Sequence, residues 1–351
     1  MKKQVKIKKA DRIKVLIISN KFDFATDYVT ITLHELKIPY LRINRDEISN
    51  YAVNLFLENE ELYIDIEKKS FVISNKTLKA IYCRAPTFIR SLDIPADPEN
   101  QLHKFQWASF IRNLIIFENV LWINNPVATY KSENKLYQLK IARQVGFKIP
   151  YTVVSNDRKL SIIKGKSKYA IKTLDTGLLK IHDKDAFIYT NIVTGSELKK
   201  SKLHSAPVVI QECLSPKIDI RVTVVGNEVF AVKILKQGKK IEGDWRKIKK
   251  EELEYLPVKL PSDINQRCIN LVKRLGLVFG AIDLAFANGE YYFLEINPTG
   301  EWAWLVNSVN FPIHKEIAFL LSQGRIRNER KNYTYPSVSY THLTLPTICS
   351  V

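Results

Sequence analysis

The chain has 351 residues, 46% hydrophobic and 26% charged, which supplies length and apolar material for two or three packed domains. No apolar run reaches a membrane span, MKKQVKIKK lacks the apolar stretch of a signal peptide, and Cys83, Cys213, Cys268 and Cys349 form no CxxC pair; we expect a cytoplasmic protein without disulfides or a membrane partner. The net charge of +18, partly terminal, leaves a lysine-rich solvated surface or a polyanionic partner as readings, and no finger, basic-zipper or RNA-binding signature favours nucleic acid.

Residues 12–19 (RIKVLIIS) predict an apolar strand, 27–37 a helix and 38–43 a second strand, a βαβ start. No GxGxxG follows the first strand, so a dinucleotide fingerprint is absent. Short strands are expected in 51–58, 61–67 and 78–84. A helix over 103–119 should place Phe105, Ala108, Ile111 and Ile115 near one face, and a strand ends at the Asn125-Pro126 break. The next block opens with a helix over 132–146. Ser132 reads as its N-cap, Leu136, Leu139, Ile141 and Val145 as its apolar positions, and Gly146 as its stop. Strands follow in 147–155 and 168–174, then from 206–214 through two strands split by Gly226-Asn227. A helix near 264–276 and a strand pair over 279–297 complete the pattern. The six histidines show no zinc-ligand spacing. The tail after about Arg330 has no core pattern and its last part resembles a translated adaptor, so 331–351 are expected to be non-native or disordered.

The chemistry concentrates near FLEINPTGEWAW (293–304). Glu295 and Asn297 share one face of an apolar strand, and a buried carboxylate needs a cation or a metal. Both are oxygen ligands suited to a hard cation, and Asp283 on the preceding strand is the third candidate. The linking turn, Asn288-Gly289, makes a geometric demand. A regular two-residue turn pairs Ala287 with Glu290 and Asp283 with Leu294, so Glu295 would face away from Asp283. A metal site there predicts a longer loop or a bulge. Lys172 lies inside an apolar strand, and Lys135 lies in a helix first turn, where the dipole disfavours a cation. Asp219 and Arg221 share a strand face, Lys233 lies on the returning strand, and Arg246 follows in EGDWRK. Cations beside metal-type ligands suit phosphoryl transfer, and no P-loop is present. Gln211-Glu212-Cys213-Leu214 offers backbone groups at a domain junction where an adenine could lie.

In this order the pieces resemble the ATP-grasp superfamily of carboxylate–amine ligases, over about residues 120–325. The resemblance implies an α/β (α+β) ATP-grasp fold. A pre-ATP-grasp α/β domain over 11–125 would precede two α+β subdomains, 126–208 and 209–325, that sandwich the nucleotide. It implies ATP and Mg²⁺ as cofactors. Lys135 and Lys172 would contact ATP phosphates, with Lys172 also reaching toward the adenine. Glu212, Cys213 and Leu214 would meet the adenine, Asp219 the ribose, and Lys233 the nucleotide. Arg221 and Arg246, with Lys172, would be catalytic, holding phosphate or the acyl-phosphate, and Asp283, Glu295 and Asn297 would ligate Mg²⁺.

Within the superfamily, EINPTGEWAWL resembles the microviridin or graspetide maturases of ribosomal peptides. Arg84, after an aromatic-rich strand, fits that pattern, whereas Cys83 stands where an aromatic is expected and Glu301 where Gln is familiar. Trp302 and Trp304 read equally as core or as substrate-side residues. The implied reaction joins a carboxylate of an acidic precursor peptide to a hydroxyl or amine of the same peptide, as an ester or amide, through an acyl-phosphate. The alternative is a glutamate ligase that adds amino acids to a protein or small-molecule carboxylate. A degenerate, non-enzymatic binding scaffold is a third reading, which the complete charge set opposes. A two-fold dimer is the default for an oligomer.

Overall fold

A computed structural model describes residues 10–84, 97–174, 178–181 and 184–326, with only the backbone described for 178–181 and 184–187. The expected tail therefore lies outside the described residues. The strand Val15–Ser19 is buried at every position. It runs parallel to Tyr40–Asn44 on one side and Ala80–Cys83 on the other, and Leu121–Ile123 completes the sheet. The crossover helix Phe24–Glu35 starts at Asp23, whose side chain accepts the Thr26 N–H. This is the βαβ start that the apolar periodicity implies. A second sheet places Asp11–Arg12, Lys69–Ser74, Glu61–Ile66 and Ala52–Phe56 side by side; the sequence reading passes over Lys69–Ser74.

Several local expectations need correction. The helix Pro98–Asn113 ends before Ile115, which falls in a 3₁₀ turn and is exposed. A helix at Pro126–Ser132, capped by Asn125, precedes Lys135–Gln144. Ser132 therefore closes one helix rather than capping the next, and its hydroxyl donates to the Leu275 carbonyl at 3.3 Å. Leu136 is exposed and Gln138 is buried. Gly146, at φ +94°, stops the helix as expected.

The central antiparallel sheet has the order Asn191–Thr194, Lys168–Lys172, Val208–Glu212, Thr152–Ser155. The helix Gly195–Lys200 is held by a Thr194/Glu197 capping box. Leu178–Ile181 and Lys184–Phe187 form a separate hairpin. The last sheet is also antiparallel, ordered Leu253–Pro257, Glu228–Lys236, Ile218–Val225, Phe279–Ala287, Glu290–Asn297. The helices Ser262–Arg274 and Lys135–Gln144 cover one face. Ala303–Val309 and Ile313–Gln323, neither read from the sequence, cover the other.

One core joins the first and last sheets. Val15, Ile17, Val29 and Tyr82 pack with Val225, Phe279, Trp302 and Ile317. The central sheet has its own smaller core of Ile163, Tyr169, Leu198, Leu203 and Ile210. No helix among the described residues is long and apolar enough to cross a membrane.

Candidate active site

The Asn288-Gly289 turn closes the last hairpin with φ +52° and +78°, the two positive values a tight hairpin turn requires. Pairing runs from Ala287–Glu290 to Leu284–Phe293, and then the register shifts. Leu294 is the additional residue. Past it, Asp283 lies opposite Glu295 and Ala281 opposite Asn297. The bulge that a metal site demanded is present. It also lets Tyr291, Phe293 and Ile296 reach the same core although the last two are three residues apart.

On its other side, the Asp283 strand pairs with Ile218–Val225 and sets Arg221 opposite Asp283. Arg221 Nη1 donates to Asp283 Oδ1 at 3.0 Å. Arg246 Nη2 donates to Asp283 Oδ2 at 2.7 Å and to Glu295 Oε1 at 2.6 Å. Asp244 starts the short turn Trp245–Lys247 by accepting the Arg246 N–H. Burial alone would raise the Asp283 carboxyl, but the guanidiniums of Arg221 and Arg246 outweigh it and hold it below its ordinary value. Burial opposes the Arg246 charge, and Asp283, Glu295 and Asp244 raise it regardless. Breaking the buried Arg221–Asp283 pair from one side costs about 3–5 kcal/mol.

Lys172 faces this cluster from the central sheet. Desolvation lowers its ammonium below the ordinary lysine value; Glu295 and Asp283 oppose the shift, while Lys135 and Arg246 add to it. Lys135 Nζ donates to the Thr173 carbonyl at 2.8 Å, beside Lys172. Asp219 is buried on the Arg221 face and is ion-paired with Lys217, a partner the sequence reading did not name. Desolvation raises its carboxyl despite Lys217.

Two expected side chains are not brought here. Lys233 lies opposite Ile220, so it projects from the other face of the sheet from Asp219 and Arg221. Glu212 lies opposite Tyr169, whereas Lys172 lies opposite Val209. Strand alternation therefore turns Glu212 away from Lys172, and Gln211 and Cys213 share the lysine's face. Glu212 and Cys213 still line a cleft of about 590 Å³ with Tyr151, Lys164, Lys168 and Tyr169. The Cys213 N–H bonds the Lys168 carbonyl at 3.3 Å, and Leu214 follows directly.

Gln138 and Asn124, which sequence reasoning missed, and Arg84, which it singled out, hold the segment after Glu295. Gln138 grips Ile296, and the buried Asn124 donates to the Pro298 and Phe279 carbonyls, both at 2.8 Å. Arg84 Nη2 pairs with Glu301 Oε2 at 2.6 Å while Nη1 meets the Thr299 carbonyl. The other Glu301 oxygen accepts the N–H groups of Trp302 and Ala303. Trp302 is fully buried, which settles it as a core residue, and Trp304 packs at a tilt against Tyr255 with centroids 4.5 Å apart.

Asp283, Glu295 and Asn297 thus present hard oxygen donors from one sheet face, a set that fits Mg²⁺. No group of three or more His, Cys, Asp or Glu side chains able to hold a metal occurs among the described residues, so the amide of Asn297 would complete this one.

Two antiparallel sheets that confront each other across cations and carboxylates, behind a parallel-stranded unit, make up the ATP-grasp fold. The chain is similar to a RiPP-associated ATP-grasp ligase of Chryseobacterium gregarium, solved with ADP and a leader and core peptide. The TM-score is 0.77 at 25% identity, over 91% of this chain and 99% of that one. It is similar to the macrocyclase MdnC of Microcystis aeruginosa MRC, bound with precursor peptide MdnA, at TM-score 0.73 and 24% identity, over 88% and 99%. The ATP-grasp ligase PsnB, complexed with minimal precursor, Mg and ADP, matches at TM-score 0.69 and 18% identity, over 89% and 97%. No family model matches the chain, and no curated protein matches it.

Proposed function

We propose that this protein is an Mg²⁺- and ATP-dependent ligase that crosslinks a ribosomally made peptide. The observation that carries the proposal is the bulge that sets Asp283 opposite Glu295, with Arg221 and Arg246 bound to them and Lys172 facing them. The similar ligases were solved with peptides, two of the three also with ADP, which supports the same substrate class here. An acidic peptide suits the charge: residues 126–208 carry sixteen Lys and Arg against six Asp and Glu.

In this reading residues 11–125 present the peptide, and 126–208 and 209–325 enclose the nucleotide. Cys213 and Leu214 offer backbone groups to the adenine, and Asp219 faces the ribose. Lys135 and Lys172 hold the phosphates. Asp283, Glu295 and Asn297 would hold Mg²⁺, which when bound offsets phosphate charge. A peptide carboxylate oxygen attacks the γ-phosphorus, the bond to the β–γ bridging oxygen breaks, and an acyl-phosphate forms while ADP, the leaving group, stays bound. Arg221 and Arg246 stabilise the charge that develops on the transferred group. A hydroxyl or amine of the same peptide then attacks the acyl carbon, phosphate leaves, and the nucleophile's proton passes to water. Positioning and charge supply the catalysis, without a protein nucleophile. The free thiols of Cys83, Cys213 and Cys268 suit a cytoplasmic setting.

The test is the intact mass of an acidic precursor peptide after incubation with the protein and Mg·ATP. Loss of one water per bond, dependent on ATP and abolished by Glu295→Gln, is expected. A gain of whole residues when free glutamate is supplied would instead identify an amino-acid ligase. Full turnover by Glu295→Gln would refute the metal assignment.

A further inference from the structure

The strand Glu290–Asn297 is the edge of its sheet, so the backbone groups that point away from its neighbour need other partners. At Phe293 the partner is main chain: its N–H donates to the Lys148 carbonyl at 2.9 Å. At Ile296 it is a side chain. The buried amide of Gln138 accepts the Ile296 N–H on Oε1 at 3.0 Å and donates from Nε2 to the Ile296 carbonyl at 2.8 Å. Nε2 also donates to the Ser132 carbonyl at 2.7 Å. Both amide protons and the oxygen are therefore committed, and the amide has one orientation. A two-point bond of this kind is what an adjoining strand would supply.

Ile296 stands between Glu295 and Asn297. Its N–H belongs to the peptide plane that joins it to Glu295, and its carbonyl to the plane that joins it to Asn297. Gripping both groups fixes both planes, and with them the directions in which the two oxygen-bearing side chains leave the backbone. Asn124 holds the chain two planes further on, through the Pro298 carbonyl. Gln138 also shares a helix with Lys135, whose ammonium bonds the carbonyl beside Lys172. One helix thus references the metal strand to the lysine across the cleft.

We propose that Gln138 is a positioning residue for Glu295 and Asn297, an inference that rests on assigning the metal to those side chains. Groups that orient metal ligands typically change metal affinity or activity by about 10–100-fold when removed. The test reads metal binding without turnover: Mn²⁺ titrated by electron paramagnetic resonance into protein saturated with ADP. Gln138→Leu should weaken Mn²⁺ by about 10–100-fold while leaving ADP affinity, measured without metal, unchanged. Gln138→Glu, which keeps the acceptor for Ile296 and loses both donors, should also weaken it, and it decides the matter if the leucine variant does not show a cooperative urea transition. A folded Gln138 variant that binds Mn²⁺ as tightly as the unaltered chain, where Glu295→Gln does not, overturns the positioning role and leaves the metal assignment standing. Undiminished Mn²⁺ binding by Glu295→Gln refutes the assignment, and the inference falls with it.

Discussion

Gly300 shows how little room the site leaves. A Cβ there would lie 2.4 Å from the Ala281 Cβ and 2.7 Å from Arg221 Nη2. The glycine is required by close approach, not by a left-handed backbone. Gly300→Ala should cost about 1–3 kcal/mol by overpacking and lower ATP turnover about 100-fold by moving Arg221 off Asp283; urea denaturation and a phosphate-release assay measure the two effects. An alanine variant with normal turnover would show that Arg221 needs no fixed place. The candidate oxygen ligands of this site were legible because Asp283, Glu295 and Asn297 interrupt apolar strands, where polar groups demand compensation. Gln138 and Asn124 were not, since a lone amide near apolar residues reads as solvent-facing until the fold surrounds it. Lys233 could have been placed correctly. Turn counting at Gly226-Asn227, which sets Val225 opposite Glu228, carries on to Ile220 opposite Lys233.

At the scale of elements, the hairpin was readable as far as its Asn-Gly turn, and a metal site across it demanded a longer loop or a bulge; the register shift between Leu284 and Asp283 is the bulge. The two last helices were not readable: their apolar positions mix with polar ones, and His314 and Glu316 are both buried in Ile313–Gln323. His314 packs on Tyr28, with ring centroids 5.5 Å apart. Burial, aided by Lys315, lowers its imidazole to about 4. An unfolded histidine titrates near ~6.5. Between those values the unfolded chain binds a proton that the folded chain does not, so stability rises with pH and this contribution is complete above the unfolded value. Acidification from pH 7 to pH 4 should remove about 3 kcal/mol through this residue. Urea midpoints across that range should fall less steeply in His314→Phe. An equal slope in both proteins would assign the effect to other groups.

At the scale of the whole molecule, the distribution of cores matters most. The first and last sheets share one, and the central sheet stands on its own small one. Local opening free energy follows buried apolar packing, so the amides of Lys168–Lys172 and Val208–Glu212 should exchange faster than those of Val15–Ser19 or Ile218–Val225. ADP with Mg²⁺ should slow the first group selectively, as hydrogen-exchange mass spectrometry would show; uniform protection would mean that the chain opens as one unit. The shared core also bears on biosynthesis. Tyr28 donates to Asn307 across 279 positions of chain, and Val15, Ile17 and Tyr82 find their cover in Trp302 and Ile317. The parallel sheet leaves the ribosome before Trp302 and Ile317 are made, so its inner face waits for them. During that interval the nascent chain carries an open apolar surface, which makes the order of synthesis, more than the final stability, the step at which this protein most needs a chaperone.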